Sequence, residues 1–275
     1  MAEHVPGAVG TALALRRYPV KSMLGEDLDE VELGAAGVDG DRVLALIDPT
    51  TGRVATAKHP RLWRALLQCS AARNGAGVRI TLPDGRTVAA HDDGADRALS
   101  DALGREVRVA AARPEGAEVE RPDPEDVLEH GVEAEVPFAT LEIAQGTPGG
   151  TFVDYAPVHL ITTATLDHIG AEALRYRPNL VVGTPDGTPF AENDWVGREI
   201  AVGDVLLRGT LPTPRCSVPT LEHGDLPRAP HAVRTPMAEN RIEVPGFGVL
   251  PCAGLYAEVL VGGTVRVGDP VTLRV

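Results

Sequence analysis

The chain is poor in lysine, in aromatic residues and in cysteine, and it contains no long apolar run. Each shortage excludes something. Aromatic residues make up 4% of the 275 residues, too few for a stacking platform on single-stranded nucleic acid. Lys and Arg number 26 against 39 Asp and Glu, a formal net charge of −13, and no basic cluster stands out. Nothing would neutralise a run of phosphates, so neither DNA nor RNA is an expected partner. No apolar stretch approaches the roughly 18 residues that cross a bilayer. The start, Met1-Ala2-Glu3-His4, lacks the basic flank and apolar core of a signal peptide. No membrane association is expected. Three widely spaced cysteines, Cys69, Cys216 and Cys252, are odd in number and do not suggest a disulfide framework. The expected address is therefore cytoplasmic, where thiols stay reduced and free for chemistry.

What is present is an ordinary globular composition, with 43% hydrophobic and 24% charged residues, long enough for one large domain or two modest ones. Of the 26 basic residues only Lys21 and Lys58 are lysine. In a chain this rich in Ala, Gly and Arg, a surviving lysine points to a need for a compact ammonium, and Lys21 is the one favoured here.

Short strands separated by turn residues dominate the pattern. Ala12–Tyr18, Asp29–Leu33 and Arg42–Ile47 read as strands, with a turn at 36–40. A hairpin is expected over Val78–Ala89 around Pro83-Asp84-Gly85, then a short helix over 93–104 stopped by Gly104. Residues 115–135 hold nine carboxylates against one Arg121, with two prolines. A solvated loop or linker is the reading favoured for them; a docking site for a basic electron-transfer partner is the alternative. A domain boundary is placed here, dividing 10–135 from 136–275. Beyond it, Val158–Thr163, Leu180–Val182, Glu199–Val202, Val205–Gly209, Leu255–Val261 and Thr264–Val275 read as strands, and Thr165–Leu174 as a helix. The fold class expected is α+β, mostly β, with a β-barrel core, an N-terminal barrel-like module and few short helices.

Several positions could carry chemistry. Pro212-Thr213-Pro214-Arg215-Cys216 is a proline-stiffened loop that sets a cysteine beside an arginine. A neighbouring cation favours thiolate, which ligates soft metals or attacks electrophiles; a small buried hydrophobe is the competing reading. Tyr18-Pro19-Val20-Lys21-Ser22 places an ammonium and a hydroxyl together, suited to a phosphate or pterin oxygen. Arg42 follows a turn, and Arg177 and Asn179 project from the Pro178 break ahead of a strand, where a guanidinium offers a planar fork to phosphate. A zinc site of Cys216 with His223 and His231 is disfavoured by the irregular, proline-rich run between them.

In order and company these segments resemble the MOSC (molybdenum cofactor sulfurase C-terminal) family. Leu15-Arg16-Arg17-Tyr18-Pro19-Val20-Lys21-Ser22 and Gly37-Val38-Asp39-Gly40-Asp41-Arg42 are similar to its N-terminal β-barrel module. Arg177-Pro178-Asn179-Leu180-Val181-Val182, Phe190-Ala191-Glu192-Asn193-Asp194-Trp195, Ile200-Ala201-Val202-Gly203-Asp204, Arg215-Cys216 and Val267-Gly268-Asp269-Pro270-Val271 resemble the MOSC domain itself. The resemblance implies a molybdenum cofactor, with Cys216 as metal ligand and catalytic residue, and no pyridoxal phosphate. It implies that Lys21, Ser22, Arg42 and Arg177 hold the pterin and its phosphate, that Thr162, Thr163 and Thr165 form a cofactor-contacting turn, and that Asn179 and Arg215 are further contacts. Asp194, with His223 or His231, is the candidate proton source. Two features depart from the family: the acidic pair before Trp195 is Asn193-Asp194, and Val218-Pro219-Thr220-Leu221-Glu222-His223-Gly224 replaces an Asp-Pro-x-Thr-Gly turn.

The function so implied is an oxidoreductase reducing N-hydroxylated or other N–O compounds. Its electrons come from a separate electron-transfer protein, because no Gly-x-Gly-x-x-Gly opening a helix is present and three scattered cysteines cannot hold a four-cysteine Fe–S cluster. The alternatives are a cofactor carrier or a sulfur-transfer protein with a persulfide on Cys216, and a barrel that binds an anionic small molecule without metal.

Overall fold

Strands in this chain are short and amphipathic, so each buries one face only by pairing into a larger surface. A computed structural model describes residues 7–185 and 187–274, which leaves the Met1-Ala2-Glu3-His4 start and Val275 outside the described residues. Strand accounts for 40% of the structure and helix for 20%. The longest α-helices, Ala95–Leu103 and His231–Glu239, have nine residues each. The mostly-β expectation holds.

Seven strands close into a barrel. In spatial order they are Val158–Thr162, Leu180–Gly183, Ala8–Arg17, Pro270–Arg274, Glu199–Val202, Val205–Pro214 and Gly248–Val261, the last returning to pair with the first. Closure satisfies both edges of the sheet. Alternating residues point inward, and Ala12, Leu160, Val182, Ile200, Val202, Leu255, Ala257 and Val271 form a fully buried interior. All barrel pairings are antiparallel except Val158–Thr162 with Leu180–Gly183, which are parallel. A parallel pair needs a crossover. Helices Thr163–Ile169 and Ala173–Tyr176 supply it.

The expected single helix over Thr165–Leu174 is thus two. Gly170 turns left-handed at φ 73° and ends the first, an arrangement that glycine adopts without a Cβ penalty. Thr264–Val275 is likewise two strands, Gly263–Arg266 and Pro270–Arg274, parted by Gly268 at φ 98°. Val205–Gly209 runs on to Pro214, so the prolines before Cys216 belong to a strand and not to a loop. The strand shifts register between Gly209 and Leu211 and again between Pro212 and Pro214, where the second shift accommodates residues that lack an N–H.

The other half packs Val20, Met23, Leu46, Trp63, Leu66, Ile80, Leu99 and Val107 into a second core. Here the hairpin is Gly77–Thr81 with Thr87–Ala89, and the helix after it is Ala95–Leu103. The acidic stretch differs from the loop reading. It forms a strand, Glu118–Pro122, paired with Phe138–Glu142, and a helix, Pro124–His130, capped by Asp123. Five of its nine carboxylates pair with arginine: Glu118 and Glu120 with Arg53, Glu125 with Arg241, Glu133 with Arg64 and Glu135 with Arg61. Those pairs offset part of the repulsion that made the run look unstructured.

The two halves exchange strands. Ala8–Arg17 is built into the barrel of the C-terminal half, and Gly263–Arg266 pairs with Glu30–Gly34 of the N-terminal half. A cut near residue 135 therefore separates Ala8–Arg17 from the barrel it completes.

Candidate functional site

A large cleft opens where the halves meet, holding about 1310 Å³ of space including its mouth open to solvent. Seven Lys or Arg residues line it against two carboxylates, Glu142 and Asp154. In a protein of net charge −13 this local excess of cations is the reverse of the whole.

Lys21 follows the first strand and is buried. Its Nζ donates to the Phe152 carbonyl at 2.8 Å and to Asp154 Oδ1 at 2.5 Å. Burial pushes the ammonium down to about 8, against the partial support of Asp154. Lys58 reaches the same Asp154 oxygen at 3.0 Å. Both lysines of the chain thus meet on one carboxylate. Burial works to raise the pKa of Asp154, but the two ammoniums outweigh it and hold the carboxyl well below its usual range. Ser22 beside Lys21 is buried, and its Oγ accepts from the Ala57 N–H at 3.1 Å.

Arg42 and Arg177 both lie over the Tyr18 ring, at 4.5 and 4.3 Å from its centroid. Arg42 pairs with buried Asp41 and donates to the Arg177 carbonyl at 2.9 Å. Arg177 donates to the Met23 carbonyl and has no carboxylate within 4.0 Å among the described residues. Burial, then repulsion from Arg42, lowers its guanidinium to about 10. Ser22, Arg42 and Arg177 have φ of 65°, 46° and 55°; among the described non-glycine residues only Ala144 and Phe190 join them in positive φ. Left-handed backbone at three neighbours in one cleft is costly for residues with a Cβ and is a mark of functional sites.

Arg215 is buried and also lacks a carboxylate among the described residues. Its Nη2 donates to the Ala253 carbonyl and to His159 Nε2 at 2.6 Å, and its Nε is buried without a partner. A guanidinium only donates, so His159 Nε2 must be the unprotonated, accepting nitrogen. Burial, then the charge of Arg215, keeps His159 neutral by lowering its pKa well below the usual value. Gly254 makes room for this contact: a Cβ there would come within 2.5 Å of His159 Nε2, and its φ is 86°. Cys216, next in sequence, lines the cleft half-buried, while Cys69 and Cys252 are buried in apolar cores. No group of three or more His, Cys, Asp or Glu that could hold a metal occurs among the described residues. A metal at Cys216 would have to bring most of its own ligands.

The cleft therefore gathers Lys21, Ser22, Arg42, Arg177, Asn179, Arg215 and Cys216 from distant parts of the chain. Asn179 is chiefly a splice: its amide accepts from the His159 N–H at 3.2 Å and donates to the Arg16 carbonyl at 3.2 Å. Thr162, Thr163 and Thr165 do not line the cleft. Thr162 caps the Thr163–Ile169 helix, and the Thr162 and Thr165 hydroxyls both donate to buried Glu192 at 2.8 Å. Thr163 Oγ1 accepts from the Thr184 N–H. Asp194 is exposed, His223 is buried and lowered to about 4 by desolvation, and His231 bonds the Gly170 carbonyl; none of the three lines the cleft. Sequence reading missed Lys58, Asp154, His159, Tyr155 and Tyr256. Only Lys58 carried a signal, as the second of two lysines.

Two sequence profiles match the chain, the MOSC N-terminal beta barrel domain over residues 9–120 and the MOSC domain over 149–272. Human mitochondrial amidoxime-reducing component 1 is 25% identical, covering 96% of this chain and 83% of its own length. Rat mitochondrial amidoxime reducing component 2 is 31% identical over 44% of this chain and 37% of its own. The YUAD protein of Bacillus subtilis, a solved structure, aligns with a TM-score of 0.43 and 11% identity over 96% of this chain and 94% of that one. No helix among the described residues is long and apolar enough to cross a membrane. With both profiles matched in order on either side of one cation-lined cleft, the chain belongs to the MOSC family.

Proposed function

We propose that this protein holds a molybdenum cofactor in the cleft and reduces N-hydroxylated or other N–O compounds. The observation that carries the reading is the pair of guanidiniums, half-buried Arg177 and buried Arg215, without a carboxylate among the described residues, on the cleft that also presents Cys216. A buried charge costs far more than it gains unless an opposite charge arrives. A phosphate-bearing pterin supplies that charge, and its own sulfur and oxo ligands suit a metal that finds one protein thiolate and no other ligand cluster. The names of the mammalian relatives, amidoxime-reducing components, favour N–O reduction over the carrier and sulfur-transfer alternatives.

On this reading Cys216 Sγ is the protein's ligand to the metal. Lys21, Arg42, Arg177 and Arg215 grip the phosphate and pterin oxygens, with Ser22 offering a hydroxyl. Bound cofactor supplies two-electron chemistry that a side chain cannot. Reducing an N–OH group to N–H breaks the N–O bond, consumes two electrons and two protons, and releases water. The electrons come from a separate electron-transfer protein. Asp194 stands outside the cleft lining, so protons reach the N–O group from the solvent-open mouth rather than from that carboxylate.

Metal analysis of the purified protein tests this directly. Near-stoichiometric molybdenum is expected in the wild type and lost in Cys216→Ser, whose melting temperature matches that of cofactor-free wild type. Turnover of benzamide oxime with an artificial reductant then separates an enzyme from a carrier. Absence of molybdenum after expression with cofactor biosynthesis intact would sink the proposal.

A further inference from the structure

Aromatic rings are scarce in this chain: two Trp, four Tyr and four Phe. Four of them, Tyr155, Tyr176, Tyr256 and Phe247, line the same cleft. Three of these form a continuous run with a histidine. His159 and Tyr256 face each other across paired strands, with ring centroids 5.7 Å apart. Tyr256 meets Tyr155 at 5.9 Å, and Tyr155 meets Phe247 edge-on at 5.7 Å. The run begins on Arg215, the neighbour of Cys216, through the 2.6 Å contact to His159. It ends in solvent, since Phe247 is 39% exposed at the tip of the hairpin joining Arg241–Val244 to Gly248–Val261.

Core packing accounts for the inner part of this run and not for its outer end. Tyr155 and Tyr256 pack against a small apolar cluster, whereas Phe247 belongs to none. A ring this exposed gains less for folding than a core ring and presents surface to the cleft. Flat rings stack or meet edge-to-face on such a wall; aliphatic groups have no comparable partner.

We infer that Tyr256, Tyr155 and Phe247 form the substrate wall of the cleft and select N-hydroxylated compounds carrying a flat aromatic ring over aliphatic ones. This rests on the N–O reductase reading for its chemistry, while the ring preference stands on the wall alone. One favourable ring contact corresponds to roughly a 2–10-fold preference beyond area burial.

The test compares benzamide oxime with acetamide oxime on the cofactor-loaded protein and, by calorimetry, on the same preparation without reductant. The kcat/KM ratio is expected to favour benzamide oxime, to fall about 2–10-fold in Phe247→Ala and to return in Phe247→Tyr. Equal losses for both oximes, or an unchanged ratio, would overturn the assignment. If neither oxime turns over, the reductase reading fails and calorimetry decides the wall: tighter binding of benzamide oxime, weakened in Phe247→Ala, supports it, and equal binding of the two oximes overturns it.

Discussion

Lys21 is charged at neutral pH by a narrow margin, because its burial is only partly offset by Asp154. With a folded value of about 8 against an ordinary 10.5, the sign of its pH dependence follows. Below pH 8 the amine is protonated in both folded and unfolded chains, and the full cost of burying the charge is present. Between about 8 and 10.5 the folded protein has released a proton that the unfolded chain keeps, so this residue's contribution to stability rises with pH. Ligand binding runs the other way. Affinity for inorganic phosphate, measured by calorimetry, is expected to fall as pH rises through about 8, and Lys21→Met is expected to abolish that step. An affinity that ignores pH across this window in the wild type would contradict the role. Asp154 supports the charge of Lys21 against burial and the neighbouring Lys58, so Asp154→Asn is expected to move the step in phosphate affinity to a lower pH, read in the same titration.

At the scale of elements, the parallel crossover is the critical joint. Its start is organised by Glu192, fully buried on a 3-10 turn, which accepts from Thr162, Thr165 and the Gly254 N–H. The same Gly254 leaves space for the His159–Arg215 contact, so this carboxylate ties the helix cap to the wall of the cleft. Glu192→Ala would strand three buried donors. A loss of about 3 kcal/mol is expected in urea unfolding, at about 1–3 kcal/mol for each group left unpaired with partial compensation. Glu192→Gln, which keeps one accepting oxygen, is expected to lose less. A cost below about 1 kcal/mol for the alanine variant would show that the cap holds without it. The threonines resemble a family cofactor turn in sequence; in the fold their hydroxyls are engaged in this cap.

For the whole molecule, the exchanged strands decide what can fold alone. Residues 136–275 without Ala8–Arg17 leave a barrel of six strands with an open gap between Leu180–Gly183 and Pro270–Arg274. That fragment is expected to be unfolded by circular dichroism and amide dispersion. A peptide of residues 7–17 added in excess is expected to restore part of the native signal. An independently folded fragment would show that the seventh strand is dispensable. Because the site is assembled at the junction of the halves, the same exchange keeps Lys21 and Arg42 in register with Arg177 and Arg215.

The mostly-β class, the individual short strands and the order of the motifs are determined by local sequence, because alternation and turn residues act over a few positions. Arg42, Arg177 and Cys216 are legible for the same reason, each sitting beside a turn or a proline break. The acidic stretch misled, since charge density says nothing about partners, and here Arg53, Arg64 and Arg241 arrive from elsewhere to pair it. Tertiary structure alone decided that Thr162 and Thr165 serve Glu192, that both lysines share Asp154, and that a sparse set of rings forms one wall. Those pairings join residues more than twenty positions apart, and only closure of the barrel brings them within hydrogen-bonding or ring-contact reach.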